Sequence, residues 1–239
     1  MLAATPPATQ LVRADAAFRV ALVGWDARRP LPAAAVDAVA REQVIELRLG
    51  RNPRLYRVVI RHLPARLRRD VEDDVIAHRE LSVIAPAKPG PPLRLGAALP
   101  LARLRAYYRE GQRRSGIPWP VLAAINFVET NFGRLREASA SGALGPMQFM
   151  PATWAAYGRG DVHDPHAAIL AAARFLRAAG APRDLRGAVH HYNPANAYVD
   201  AVFRFAARIR RDPRGLASLY ARRVIVRTSH GYRRLNARS

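Results

Sequence analysis

The side chain in this sequence best suited to chemistry is that of Glu129. A helix is predicted from residue 119 to residue 132, and four of its residues recur at spacings of three and four on one face: Leu122, Ile125, Glu129 and Phe132. A carboxyl group on an apolar face is costly to ionise, so its pKa rises and it keeps its proton. A protonated glutamic acid is what a general acid requires. The spacing also allows Glu129 to reach solvent or to pair with one of the many arginines.

A segment of small residues follows Glu129. Residues 139–151 are Ser-Ala-Ser-Gly-Ala-Leu-Gly-Pro-Met-Gln-Phe-Met-Pro. Small residues let a backbone approach a ligand closely. The amide of Gln148 can donate and accept hydrogen bonds, which suits acetamido groups and sugar hydroxyls. A plain loop before a helix would account for the same residues without any ligand.

Three short motifs in this order resemble the lytic transglycosylases of the lysozyme superfamily. Those enzymes carry a Glu-Ser motif, then Gly-Leu-Met-Gln, then Ala-Tyr-Asn. The matching pieces here are Glu129-Thr130, residues 139–148 and Tyr192-Asn193. The resemblance covers roughly residues 100–210, and three ordered motifs over that length are a specific signal.

Two stretches, residues 128–133 and 148–151, also resemble the membrane-bound lytic transglycosylase B branch. The sequence departs from the family pattern at three positions. Thr130 stands in place of Ser and keeps a hydroxyl, Pro146 stands in place of Leu, and His191 stands in place of Ala. The third departure makes Tyr192-Asn193 the weakest of the motif matches.

The resemblance implies roles for seven residues. Glu129 is expected to be the catalytic acid. The other motif residues are expected to bind substrate: Thr130, Ser139, Met147, Gln148, Tyr192 and Asn193. The implied fold is the lysozyme-like α+β domain.

The implied reaction cleaves the β-1,4 bond between N-acetylmuramic acid and N-acetylglucosamine in peptidoglycan and closes a 1,6-anhydro ring without water. One carboxyl group suffices for this, and no metal or cofactor is needed. Glycosidases that hydrolyse the bond usually employ two carboxylates. The next acid along the chain, Glu137, is predicted to be a solvated partner of Arg134 or Arg136. A hydrolytic muramidase on the same fold remains the alternative.

The composition limits the partners. The chain has 39 basic and 18 acidic residues, a net charge of +21, and only one of the basic residues is a lysine, Lys88. So basic a protein favours anionic partners such as anionic wall polymers. Arginine is spread through nearly every segment and no nucleic-acid-binding motif is present, so nucleic acid is not expected. A basic, non-catalytic protein that binds wall or nucleic acid is the alternative from another functional class. The absence of cysteine excludes disulfides, zinc–thiolate sites and thiol nucleophiles.

The chain is predicted to be mainly α. We expect a helical N-terminal module at residues 1–85, a Pro-rich linker at 86–97, the predominantly helical catalytic domain at 98–215 and a C-terminal extension at 216–239 with a short β-hairpin. Residues 31–84 carry the periodicity of three helices, and no helix is predicted before them.

The expected location follows from the substrate and is outside the cytoplasm, in the periplasm or cell wall. No segment is long and apolar enough to span a bilayer. Residues 1–12 lack the basic and apolar regions of a signal peptide.

Overall fold

The computed structural model describes residues 5–84, 94–228 and 231–234. Four helices precede residue 85: α1 (Pro7–Ala21), α2 (Ala33–Arg51), α3 (Pro53–Arg61) and α4 (Ala65–Ile84). Seven more follow residue 94: α5 (Leu101–Ser115), α6 (Trp119–Thr130), α7 (Pro151–Tyr157), α8 (Pro165–Ala178), α9 (Leu185–Tyr192), α10 (Asn196–Arg211) and α11 (Gly215–Ala221). The mainly helical fold class is confirmed.

Strands β1 (Ile225–Thr228) and β2 (Gly231–Arg234) form an antiparallel pair in which Ile225 lies opposite Arg234. The predicted C-terminal hairpin is therefore present. Residues 229 and 230, between the two strands, lie outside the described residues.

Several helices begin where the sequence places a capping residue. The Asn52 side chain accepts a hydrogen bond from the Leu55 amide at 2.9 Å, and Pro53 takes the first position of α3. Asp164 caps α8 in the same way, through the Ala167 amide at 2.7 Å. Helices α1 and α11 were not predicted, and neither has a side-chain cap. Helix α1 is also weakly amphipathic, so periodicity gives little signal for it.

One hydrophobic core extends through both halves of the described chain. It joins Phe18 of α1, Val39 of α2 and Ala77 of α4 to Leu122 of α6 and Phe205 of α10. Helix α4 packs along α10, which is the most extensive helix pair in the described part of the chain. A smaller cluster, which includes Leu11, Leu49, Leu63 and Val71, fills the space between α1, α2, α3 and α4.

The proposed domain boundaries stay a prediction. Residues 86–93 of the predicted linker lie outside the described residues. Its last part is tied to the C-terminal half: Leu95 forms an isolated antiparallel bridge with Leu135, and the Gly96 amide donates to the Arg134 carbonyl at 2.8 Å.

Buried ion pairs cross the contact between the two halves. Arg222 donates to Asp74 at 2.9 Å and to Glu46 at 2.5 Å, and all three side chains are buried. Arg208 of α10 also contacts Asp74. The acids belong to α2 and α4, whereas the arginines belong to α10 and to the segment after α11. Removing one member of such a set would leave an uncompensated buried charge, so these pairs fix how the two halves meet.

Candidate active site

Helix α6 places Glu129 near its C-terminal end, inside the core. Its residues from Pro120 to Phe127 are all buried. The helix ends in three successive left-handed residues, Asn131, Phe132 and Gly133, with φ of 50°, 62° and 77°. Left-handed backbone is uncommon for asparagine and rare for phenylalanine. This turn reverses the chain immediately after Glu129 and Thr130.

Glu129 is partly buried, and its carboxyl group has one hydrogen-bond partner in the described structure. The Tyr198 hydroxyl donates to Glu129 Oε1 at 2.5 Å. Burial raises the pKa of Glu129 to about 7, and the hydrogen bond from Tyr198 offsets part of that rise. No ion pair among the described residues includes Glu129, so the structure does not support pairing with an arginine. The raised pKa agrees with the apolar face predicted from the sequence.

Two hydrogen bonds from α6 hold the loop before α7. The amide nitrogen of Asn126 and the hydroxyl of Thr130 both donate to the carbonyl oxygen of Pro146, each at 2.7 Å. Asn126 accepts from the Tyr108 hydroxyl at 2.5 Å, and Thr130 accepts from the Gly133 amide at 2.9 Å. These buried groups are all satisfied, so the loop is fixed relative to the helix that carries Glu129.

The side chains of Thr130 and Met147 do not reach the surface. Thr130 is 1% exposed and Met147 is 0% exposed. The Met147 carbonyl accepts a hydrogen bond from the Tyr192 hydroxyl at 2.5 Å. Any effect of these two residues on substrate therefore passes through the position of the loop.

Gln148 occupies a strained turn. Its φ is +51°, in the left-handed region, and residues 144 and 149 close the turn with two backbone hydrogen bonds of 2.8 Å. Its side-chain amide donates to the Gly145 carbonyl at 3.0 Å and remains partly exposed. Gly145 has φ +72°, and a Cβ there would lie 2.0 Å from the Val162 carbonyl oxygen, so only glycine fits.

Ser139 shapes the other end of the loop. Its hydroxyl accepts from the Ala143 amide at 2.9 Å and lies 2.9 Å from the Ser141 hydroxyl. The side chain is half-buried. Ser139 therefore closes a local turn, and part of its side chain remains accessible to solvent.

Tyr192 and Asn193 follow from α9. The Tyr192 ring packs edge-on against Phe149 and Phe175, with ring centroids 5.8 and 5.4 Å away. The charge of Glu129 adds to burial in raising the pKa of Tyr192, which places the two groups close together. Asn193 is partly exposed, and its side chain makes no hydrogen bond within the described part of the chain. Its amide is therefore available to a ligand.

Sequence reasoning missed Tyr198. This residue lies in the first turn of α10, is 2% exposed and directly contacts the Glu129 carboxyl group. The usable signal was chemical, since a tyrosine on a buried helix face needs a partner for its hydroxyl. No feature of residues 196–200 in the sequence indicates which residue that partner is.

The predicted partner of Glu137 is wrong. Glu137 pairs with Arg94, whose backbone amide and Nε donate to Oε1 at 2.5 and 3.2 Å. Arg134 instead stacks on Tyr220 and donates to its carbonyl at 3.0 Å. Arg136 donates to the Ala97 carbonyl at 2.8 Å. Both arginines satisfy backbone carbonyls, which leaves the distant Arg94 for Glu137.

Comparison with protein families gives one match. Residues 106–204 match the family model described as Transglycosylase SLT domain. This part of the chain is a transglycosylase SLT domain. The match runs from α5 into α10 and includes Glu129, Tyr198 and all the predicted substrate-binding residues. Comparisons with curated proteins and with solved structures give no match.

The SLT domain confirms the resemblance to lytic transglycosylases of the lysozyme superfamily and indicates a peptidoglycan substrate. The likeness to the membrane-bound lytic transglycosylase B branch stays a prediction. Over the described residues, none of the helices combines the length and apolar character needed to cross a membrane.

Proposed function

We propose that the SLT domain cleaves the β-1,4 bond between N-acetylmuramic acid and N-acetylglucosamine, with Glu129 as the single acid and base, and releases a 1,6-anhydromuramic product. The observation that carries this proposal is the environment of Glu129. Its pKa is raised to about 7, its partner is the neutral hydroxyl of Tyr198, and the SLT match encloses both. About half of such groups hold a proton at neutral pH.

In the first step the Glu129 proton moves to the glycosidic oxygen, and the bond from that oxygen to C1 of the muramic ring breaks. The electron pair of the bond stays with the leaving oxygen, which departs as the 4-hydroxyl of N-acetylglucosamine. The carbonyl oxygen of the substrate's own 2-acetamido group stabilises the positive charge at C1. General acid catalysis of this kind needs a protonated carboxyl at working pH.

In the second step the Glu129 carboxylate takes the proton of the C6 hydroxyl. The C6 oxygen bonds to C1 and closes the 1,6-anhydro ring. Glu129 ends protonated, as it began, and no water is consumed. Tyr198 stabilises the carboxylate between the steps, because its hydroxyl donates to Oε1.

The surrounding residues divide into two groups. Ser139, Gln148 and Asn193 reach the surface and are proposed to bind sugar hydroxyls and acetamido groups. Thr130 and Met147 are buried and are proposed to fix the loop that carries Gln148. Tyr192 joins the two groups, since its hydroxyl holds the Met147 carbonyl beside Glu129.

The position of Glu137 favours ring closure over hydrolysis. A second carboxylate would be expected in a hydrolase. Glu137 is the nearest acid along the chain, and Arg94 holds it through two hydrogen bonds. The substrate therefore supplies the second group, which makes a hydrolytic muramidase the less favoured candidate.

Mass spectrometry of digested peptidoglycan tests the proposal. An anhydro product is about 18 Da lighter than the hydrolysed one, the mass of one water. We expect the anhydro mass from the wild-type protein and from Glu137→Gln, and no product from Glu129→Gln. A hydrolysed mass would assign the muramidase reaction, and no cleavage by the wild type would leave a binding protein.

A further inference from the structure

The surface around α3 is rich in arginine and free of acids. Between Glu46 and Asp70 the sequence contains eight arginines and no aspartate or glutamate: Arg48, Arg51, Arg54, Arg57, Arg61, Arg66, Arg68 and Arg69. Elsewhere in the N-terminal half, acids interrupt the basic residues.

Three of these arginines form a stripe along α3. Arg54, Arg57 and Arg61 follow one another at spacings of three and four, so they lie on one face of the helix. All three side chains are exposed. The opposite face carries Val59 and Ile60, which are buried in the smaller core cluster. Helix α3 thus turns its apolar side inward and its arginines toward solvent.

The guanidinium groups of the stripe have no partner among the residues that the structure describes. Arg66, nearby on α4, pairs with Asp15 and Asp70. By contrast, in the described part of the chain no ion pair or hydrogen bond involves the side chains of the stripe arginines or of two further exposed ones, Arg48 and Arg69, although the Arg61 backbone carbonyl accepts from Arg68. Their charge serves no fold contact.

We propose that this arginine stripe binds a phosphodiester-linked anionic polymer of the cell wall and so holds the SLT domain at its glycan. The proposal rests on the proposed function in one respect, namely that the protein acts in the cell wall. One guanidinium group can bind a phosphate group through two parallel hydrogen bonds, each to a different oxygen. The stripe extends about 10 Å along the helix axis, which suits a chain of repeated charges better than a single anion.

The same surface is poorly suited to nucleic acid. Single-stranded nucleic acids bind through aromatic side chains that stack on bases. The one aromatic residue of α3, Tyr56, is half-buried beneath Arg79, whose guanidinium carbon lies 5.0 Å from the ring centre. The SLT domain in turn brings the protein to peptidoglycan, where an attached polymer would be within reach.

The stripe is separate from the catalytic site. Helix α3 packs on α1, α2 and α4, whereas α6, which carries Glu129, packs on α5, α8, α10 and α11. Binding at the stripe and turnover at Glu129 can therefore be changed independently.

The test compares two triple variants that remove the same charge. The first replaces the stripe: Arg54→Gln, Arg57→Gln and Arg61→Gln. The matched control replaces three exposed arginines that lie outside α3 and form no ion pair with any described residue: Arg109→Gln, Arg183→Gln and Arg210→Gln. Binding is measured to poly(glycerol phosphate), to a short DNA duplex, and to sacculi with and without their phosphate polymers, over a range of salt. Turnover is measured on short soluble glycan.

We expect the stripe variant to bind poly(glycerol phosphate) about 10- to 100-fold more weakly at low salt, with a salt dependence shallower by about two counterions. The control variant should lose less than about threefold. Both variants should turn over soluble glycan like the wild type. If the proposed function were wrong, the wild type and both variants would show no turnover, while the difference in polymer binding between the variants would remain. If the triple variant does not fold, Arg57→Gln alone should show a smaller loss in the same direction.

Equal losses in the two triple variants would overturn the proposal, because net charge rather than the stripe would then be responsible. Tighter binding of the wild type to DNA than to poly(glycerol phosphate), lost only in the stripe variant, would assign the surface to nucleic acid instead. Equal retention on sacculi with and without phosphate polymers would also contradict it.

Discussion

Two regions of this molecule bury carboxyl groups in opposite ways. At the contact between the halves, Asp74 and Glu46 each have a guanidinium partner in Arg222. At the candidate active site, Glu129 has only the neutral hydroxyl of Tyr198. A guanidinium stabilises the ionised carboxylate, whereas an apolar site with a neutral partner keeps the proton on the acid. The partner therefore distinguishes the paired acids at the contact between the halves from Glu129.

Another buried acid sharpens the comparison. Glu42 of α2 is 4% exposed, and burial together with the charge of Glu46 raises its pKa to about 8. A raised pKa therefore does not by itself identify the catalytic group. Glu129 differs from Glu42 because it is only partly buried as a residue and because the next residue, Thr130, holds the loop that carries the partly exposed Gln148.

Glu129→Gln should give the largest effect. Glutamine keeps the size and a hydrogen-bonding oxygen but cannot transfer a proton, so glycan cleavage should fall by roughly 100-fold to 10,000-fold. The folded pKa of Glu129 lies above its unfolded value, so wild-type stability falls as pH rises from about 4.5 through about 7. The variant should accordingly gain stability over the wild type across that window. Initial rates and urea unfolding at several pH values measure both.

The matched control is Glu137→Gln, which removes a carboxylate eight residues away that pairs with exposed Arg94. Cleavage should change little. An active Glu129→Gln protein together with an inactive Glu137→Gln protein would show that the acid is misassigned.

Arg222→Met should damage the other region. It leaves Asp74 and Glu46 buried with less compensation, which costs about 3–5 kcal/mol of folding free energy. The neighbouring Arg223 pairs with the exposed Asp37, so Arg223→Met should cost no more than about 1 kcal/mol. Urea unfolding compares the two. Similar small losses would mean that the buried pairs do not hold the halves together.

Thr130→Val tests the loop clamp. It removes the hydroxyl that donates to the Pro146 carbonyl and accepts from the Gly133 amide, at a cost of about 1–3 kcal/mol. Because Thr130 holds the loop and does not touch substrate, activity should fall with misplacement of Gln148, and Thr130→Ser should restore it. Steady-state kinetics and thermal unfolding are the measurements. Failure of serine to restore activity would assign the role to the methyl group.

Tyr198→Phe should give the smallest effect and the most specific one. The hydroxyl hydrogen bond lowers the pKa of Glu129, so its loss should raise that pKa by about one unit. The fall in rate on the alkaline side should shift to higher pH by the same amount. The Tyr192 hydroxyl donates to the Met147 carbonyl and not to Glu129. Tyr192→Phe should therefore leave the pH midpoint of the rate unchanged. Equal shifts in both variants would contradict the assigned contacts.

The sequence by itself determined much of the local structure. Periodicity and caps predicted nine of the helices that the structure describes, and the spacing on α6 placed Glu129 among Ile125 and Phe132 before any contact was known. Motif order along residues 129–193 indicated the family. The helices and the position of Glu129 depend on neighbours within a few residues, where helix geometry fixes which side chains share a face.

Only the tertiary structure decided which elements meet. Tyr198 donates a hydrogen bond to Glu129, which lies 69 residues away in the sequence. Arg94 and Glu137 pair over a separation of 43 residues, and Arg222 and Glu46 over 176. The tertiary structure also buries the side chains of Thr130 and Met147 in the core, although their motifs suggested contact with substrate. A helical pattern shows which face is apolar but not which helix covers it. The partner that sets the proton on Glu129 is therefore chosen by packing, because a long-range contact has no local signature in the chain.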